Sequence, residues 1–287
     1  MEKNPTKEEM LEAIKQSGYL FEQEIATILE ANGFHVETNR AFEDVDTKKS
    51  REIDIYAIKR ILHDEEKKIN IFINLLCECK NNSSPFIFIG RNKNKRDEEL
   101  NPLELSFPFQ RYHKIIKKEG NTKTYAYISP IVHLKLEKKH LFYKSELKYV
   151  QFSKIVMDKG KLYANHEGIF DSIIMPMVKS LVYFKNEHPV KFGEWTDIWL
   201  HFPVVILNSD LLKLDSTQKE YSLEPEKYLS VMREIDSGNI KGTYLIDFTN
   251  KPNLELYLKD QMDLAKEIEN IVKTKPYSIF KEEYESS

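Results

Sequence analysis

Cysteine is scarce: the chain has two, both in Cys77-Glu78-Cys79. That excludes a disulfide framework, and no second pair of ligands exists to complete a zinc site. No stretch approaches the ~18 consecutive apolar residues of a membrane span, and residues 1–6 have no apolar signal core. These absences predict a cytoplasmic protein with no membrane partner. The eight histidines are scattered, without metal-ligand or HNH-type spacing, and no internal repeat is evident. Charge of one sign is also lacking, because the formal net charge is −3, so the average gives no electrostatic case for a nucleic-acid binder. What is present is enough apolar material for a core: 41% of 287 residues, which excludes global disorder.

The average charge hides a local excess. Residues 91–150 hold fourteen Lys and Arg against seven Asp and Glu. Within them, 109–119 reads as a helix closed by Gly120, with Arg111 and Lys114 in its first turns and Arg91, Lys93, Lys95 and Arg96 in the loop before it. Such a surface suits a phosphate backbone, with salt-dependent affinity; a merely solvated helix is the competing reading. Trp195 and Trp199 are read as core packing rather than base-stacking platforms.

Thr6 is placed to cap a helix whose first turn carries Glu8 and Glu9, and apolar residues recur from Met10 to Leu29 at helical spacing. Gly18 interrupts it, predicting a restart there, and Gly33 stops it. A short strand over 34–38 follows, then strands over 51–59 and 69–80 that pair as a hairpin. Further strands are expected over 86–90, 124–134, 144–157, 200–207 and 244–248. Helices are expected over 169–184, kinked or split by Pro176, and over 253–273. Strands alternating with helices indicate an α/β class. The polar stretch 215–226 is the one credible domain seam.

The chemistry concentrates at the greasiest strand. Glu78 and Lys80 lie one pleat apart and share a face, whereas Cys77 and Cys79 face the other way, into the core. The hairpin brings Asp54 beside Glu78. Stripping water from an unpaired carboxylate costs several kcal/mol or more, so acids in such segments need a partner or a role. Two carboxylates at a strand edge form a hard-oxygen pocket suited to Mg²⁺ or Mn²⁺, and Lys80 adds a cation able to orient or deprotonate water or to neutralise developing charge. Glu-x-Lys alone means little in a chain with 31% charged residues, where Glu65, Glu137 and Glu146 begin the same pattern. A buried ion pair between Lys80 and the acids is the alternative.

Gly18 with Glu22, Gly33-Phe34, Glu52-Ile53-Asp54-Ile55 and Leu76-Cys77-Glu78-Cys79-Lys80 together resemble the PD-(D/E)xK restriction-endonuclease-like nucleases, in particular the Mrr-like and Holliday-junction-resolvase-like branches. The resemblance covers about the first 80 residues, and Ile53 stands where the motif has proline. It implies a central mixed β-sheet flanked by helices, with a nuclease-like domain over 1–215 (core 6–135). Residues 216–287 would be a C-terminal α/β elaboration on the same sheet. It implies Asp54, Glu78 and the Cys79 carbonyl as metal ligands, Lys80 as catalytic lysine, and Glu22 holding a metal-bound water or second metal, with Glu24 as rival. The expected function is a Mg²⁺- or Mn²⁺-dependent DNA endonuclease of restriction, phage defence or repair, with a homodimer or a partner protein to match. The alternatives are a nuclease-like binding or assembly subunit that does not cut, and an RNA-cleaving enzyme.

Overall fold

The computed structural model describes residues 4–120, 122–190 and 194–285. Helix α1 (Lys7–Ser17) starts with the expected cap. Glu9 N donates to Thr6 Oγ1 at 3.2 Å, and Thr6 N donates to Glu9 Oε2 at 2.7 Å. This reciprocal arrangement satisfies two donors that a helix start leaves free. Gly18, at φ +92°, ends α1 and begins α2 (Tyr19–Ala31); only glycine adopts this left-handed backbone without steric cost. The turn swings α1 away from the body, so Met10, Leu11 and Ile14 are exposed, whereas α2 buries Phe21, Ile25, Ala26 and Leu29.

An antiparallel meander follows: β1 (His35–Glu43), β2 (Ser50–Asp64) and β3 (Ile69–Lys80). Next come β4 (Phe86–Asn92), the short α3 (Lys95–Glu98), β5 (Leu105–Ser106), β6 (Tyr112–Glu119) and β7 (Thr122–Ile128). The turns α4 (Pro130–His133) and α5 (Leu141–Lys144) lead to the hairpin β8 (Leu147–Asp158) and β9 (Lys161–Asn165). A π-helical turn, Phe170–Ile174, runs into α6 (Met175–Glu187). The wider turn sits just where Pro176 cannot donate its helical hydrogen bond, so the expected break is a change of helix type rather than an interruption. The chain ends with β10 (Thr196–Leu207), β11 (Leu211–Asp215), β12 (Glu224–Glu226), β13 (Tyr228–Ser237), β14 (Ile240–Asn250), α7 (Leu254–Thr274), α8 (Tyr277–Phe280) and β15 (Glu283–Glu285).

The fold is α/β, built on a large mixed sheet in the order β1-β2-β3-β10-β14-β13-β8-β4-β11-β12, with β5 beside β10 and β9 beside β8. β10 runs parallel to both β3 and β14. It is covered on both faces, so its residues from Ile198 to Leu207 are buried without alternation. One core packs α2 and α7 on one face of the sheet, including Ile25, Leu29, Cys77, Cys79, Leu264 and Ile268. The other packs α6, with Leu76, Val178, Leu181, Phe184 and Val205. Both cysteines are buried, as their alternation predicts.

Three expectations need correction. Residues 109–119 form no helix: β6 pairs antiparallel with β7 and parallel with β15 in a separate three-stranded sheet, and Gly120, at φ +58°, lies in the hairpin turn. Pairing with a strand more than 160 residues away is invisible to local periodicity. Residues 124–134 belong to that smaller sheet and to α4, not to the main sheet. The polar stretch 215–226 is the link of an antiparallel pair, β11 to β12, inside the large sheet.

Candidate active site

The β2–β3 ladder ends at Ile55↔Cys77. Two residues further, where Ile53 would face Cys79, the strands have parted, and the Cys79 amide donates to Asp54 Oδ2 at 2.7 Å. In an antiparallel ladder a residue's N–H and C=O point to the same neighbour, so the Cys79 carbonyl faces this parting as well. Asp54 and Glu78 lie side by side across it. Lys80, two residues on, donates from Nζ to Glu78 Oε1 at 2.5 Å. Both are half-buried, with side-chain exposures of 29% for Lys80 and 14% for Glu78, so water reaches the pair.

Glu22 completes the cluster from α2. Its helix is held against the end of β3 by the Gly18 turn: a Cβ built on Gly18 would lie 3.6 Å from Asn81 Cβ and 3.9 Å from Glu22 Oε1. Asn81 Nδ2 donates to Lys15 O at 2.9 Å, and its Oδ1 accepts from Asn208 Nδ2 at 2.8 Å, which ties the end of α1 to the loops after β3 and β10. Glu24, the rival acid, is engaged elsewhere, with Lys251 at 2.7 Å.

The electrostatics record the crowding. Burial, then the neighbouring Asp54 charge, raises the Glu22 carboxyl above its ordinary range, with Lys80 opposing. Glu78 is raised by burial and Asp54, and Asp54 by burial against the pull of the Cys79 amide and Lys80. Three carboxylates share one lysine, so negative charge is left uncompensated in a half-buried site. Among the described residues no three His, Cys, Asp or Glu side chains form a ready-made metal cage. The donor set nevertheless fits a hard divalent ion, because Mg²⁺ is held by one or two carboxylates and keeps several waters.

A groove of about 340 Å³ opens beside Lys80, with Asn82, Phe86, Lys154, Asn165 and Ser172 among its walls. Asn82 Nδ2 is bonded to Ser84 O at 2.5 Å and to Ser209 Oγ at 3.1 Å. Its buried Oδ1 has no partner among the described residues. Sequence reasoning missed these residues because Lys154 and Asn165 lie more than 70 positions from Lys80 and carry no motif.

No family model, curated protein or solved structure matches this chain. Its site must therefore be read from its own residues.

The basic residues expected to hold nucleic acid do not border this groove. Arg91 lies at the far end of β4 from Phe86, roughly 16 Å along an extended strand, and Lys95 and Arg96 lie beyond it on α3, all three exposed. Arg111 precedes β6, and Lys114 sits on β6 opposite Tyr284 in the smaller sheet. Lys93 needs correction outright. Its Nζ donates to the carbonyls of Phe142 and Ser145 and sits over the Phe142 ring, and burial lowers its pKa to about 8; with two of its three donors on main-chain carbonyls, this ammonium is turned into the fold rather than held out for a phosphate. Trp199 is buried between Phe72 and His188, with ring centroids 4.3 and 4.0 Å away, in keeping with a packing role. Trp195 stacks on His63 at 4.8 Å.

Proposed function

We propose that this chain is a metal-dependent nuclease of the PD-(D/E)xK type, hydrolysing DNA phosphodiester bonds at the parted end of β2 and β3. The reading is supported by one arrangement: Lys80 pairs with Glu78 at 2.5 Å, the next amide along the strand bonds Asp54, and Glu22 on α2 is near enough for its carboxyl to respond to both Asp54 and Lys80. The order of elements, two helices, a meander and a parallel neighbour for β3, supports a restriction-endonuclease-like sheet. Asp54, Glu78 and the Cys79 carbonyl would hold Mg²⁺ or Mn²⁺, and Glu22 would bind a metal-bound water. Such an ion supplies an activated water and charge stabilisation on the phosphodiester. Lys80 Nζ, held by Glu78, is positioned to orient the attacking water or to meet the phosphate oxygen on which charge develops. Cutting both strands of a duplex needs two such sites, so a pair of copies is the expected working form.

The test is incubation with linear, branched and single-stranded DNA and with RNA, under Mg²⁺, Mn²⁺ or EDTA. Metal-dependent DNA cleavage, lost in Glu78→Gln and Lys80→Met, is the expected result. Cleavage that survives these changes, or cleavage of RNA alone, overturns the assignment. The 2.5 Å Lys80–Glu78 contact is also what a structural ion pair presents. A protein that binds DNA and never cuts it would establish that second reading, a nuclease-like binding subunit.

A further inference from the structure

Lys154 and Asn165, which border the Lys80 groove, are a cross-strand pair at the foot of the β8–β9 hairpin. The ladder continues outward through Ile155↔Ala164, Val156↔Tyr163 and Met157↔Leu162 to Asp158↔Lys161. Because side chains alternate, Asn165, Tyr163 and Lys161 share the face of Lys154, and that face prolongs the groove. Each step of two residues advances about 7 Å. Lys159 and Gly160, at φ +47° and +77°, close the turn as two-residue hairpin loops require. A Cβ on Gly160 would meet nothing within 4 Å, so the tip projects into open space.

The arm buries little. All five residues of β9 are exposed, and Met157, Leu162 and Tyr163 keep 70, 68 and 50% of their surface. By the same alternation Met157 and Leu162 face away from Lys154, so on the Lys154 face the exposed ring is that of Tyr163, an aromatic held out on an isolated hairpin where it adds little to the stability of this chain. Lys154, Lys159 and Lys161 make no ion pair among the described residues; against them stand Asp158, opposite Lys161 in the ladder, and Glu167 on the groove wall, which leaves the face with a net excess of one lysine. Unpaired lysines interleaved with a tyrosine match a polyanion with flat faces. A second copy would bring the same lysines against these by symmetry, which disfavours self-pairing through this face.

We propose that this hairpin face is the track for an unpaired DNA strand leading to Lys80, with Lys154 and Lys161 against phosphates and Tyr163 under a base. The destination of the strand rests on the nuclease reading; the binding itself does not. The test is fluorescence anisotropy in EDTA, with a labelled mixed-sequence single-stranded oligodeoxynucleotide and its blunt duplex. Wild type should prefer the single strand. The double variant Lys154→Ala/Lys161→Ala should bind about ten-fold more weakly and reduce the slope of log K against log salt by about 1.4. Tyr163→Ala should lose about five-fold or more and Tyr163→Phe restore it, since stacking needs only the ring. Lys117→Ala/Lys118→Ala, on the smaller sheet, should bind as wild type. Equal or tighter binding of the duplex, hairpin variants that bind as wild type, or no binding at all overturns the proposal. So does a wild-type dimer that Tyr163→Ala converts to a monomer while DNA binding persists. Asp54→Asn separates the two readings: it should bind the strand and not cut it. If Asp54→Asn still cuts, the assignment of catalysis to the Asp54 cluster falls and the track stands; if the hairpin variants bind normally while wild type cuts, the track falls and the nuclease stands.

Discussion

The Cys79 amide donates to Asp54 Oδ2 at 2.7 Å, where a main-chain carbonyl of β2 would have accepted had the ladder run on past Ile55↔Cys77. Asp54 thus has two functions in one side chain. One oxygen satisfies a strand donor that the parting of β2 and β3 leaves open, and the carboxylate as a whole adds charge to the cluster. A site that substitutes a side chain for a ladder bond keeps its sheet intact while leaving an opening at its end.

Asp54→Asn retains an acceptor for the Cys79 amide, so its unfolding free energy should stay within about 1 kcal/mol of wild type. Asp54→Ala leaves the donor unsatisfied and should cost about 1–3 kcal/mol. Urea unfolding measures both. Each variant should lose metal-dependent cleavage, and an Asn variant that cuts normally would show that the charge of Asp54 is not what the chemistry uses.

Glu22 is predicted to weaken the metal-free protein. Its carboxyl is raised by burial and by the Asp54 charge, so ionising it beside Asp54 is unfavourable. Glu22→Gln should melt at a higher temperature than wild type in EDTA, and it should gain less from added Mg²⁺, because stabilisation by a ligand follows its affinity. A metal-free melting temperature below that of wild type would remove Glu22 from the cluster.

Much of this cluster was legible in the sequence because it is local. The β2–β3 hairpin, the inward cysteines, the Gly18 restart and the pairing of Asp54 with Glu78 all follow from periods of two and 3.6 residues. The centre of the sheet was not legible. β10 lies between β3 and β14, and nothing in an apolar run states which other apolar run will pair with it. Residues 109–119 failed for the same reason, since β15 and β7 decide that segment. Lys93 failed because a lysine's partners, here the carbonyls of Phe142 and Ser145, are main-chain atoms with no sequence signature. The groove wall at Lys154 and Asn165 depends on where β8 lands in the sheet, beside β4 and β13.

Acid should weaken the protein through Asp44. Its fully buried carboxylate accepts from Lys179 Nζ at 2.8 Å, from the amides of Thr47 and Asp46 at 3.0 Å each, and from Arg51. Burial alone would raise its pKa, but Lys179, the Thr47 amide, Arg51 and the Asp46 amide together hold it well below the ordinary carboxylate range. Below about pH 4 the unfolded chain therefore binds a proton that the folded one refuses, so this stabilisation is complete above that pH and falls as the pH drops toward the folded value. Lys179→Met leaves the buried charge short of its partner and should cost about 3–5 kcal/mol at neutral pH. In Asp44→Asn the acid limb of stability against pH should flatten; an unchanged limb in urea titrations would assign acid sensitivity to other groups.

Asp247 should respond to pH with the opposite sign. It lies in β14 among the residues that both cores enclose, with Ser230 Oγ donating to Oδ1 at 2.5 Å and Tyr257 OH to Oδ2 at 2.8 Å. Burial raises its pKa to about 6 despite these two donors and the nearby His140. Between about pH 4 and 6 the folded state thus keeps a proton that the unfolded state releases, and stability falls as the pH rises through that window, then levels off above it. The two-unit displacement corresponds to on the order of 2–3 kcal/mol at pH 7. Asp247→Asn is neutral at every pH and keeps the acceptor for Ser230, so it should be more stable than wild type at pH 7 and lose that advantage near pH 4. If the two proteins differ by the same amount at both values, the folded-state pKa of Asp247 is not raised and its carboxyl ionises as it does in the unfolded chain.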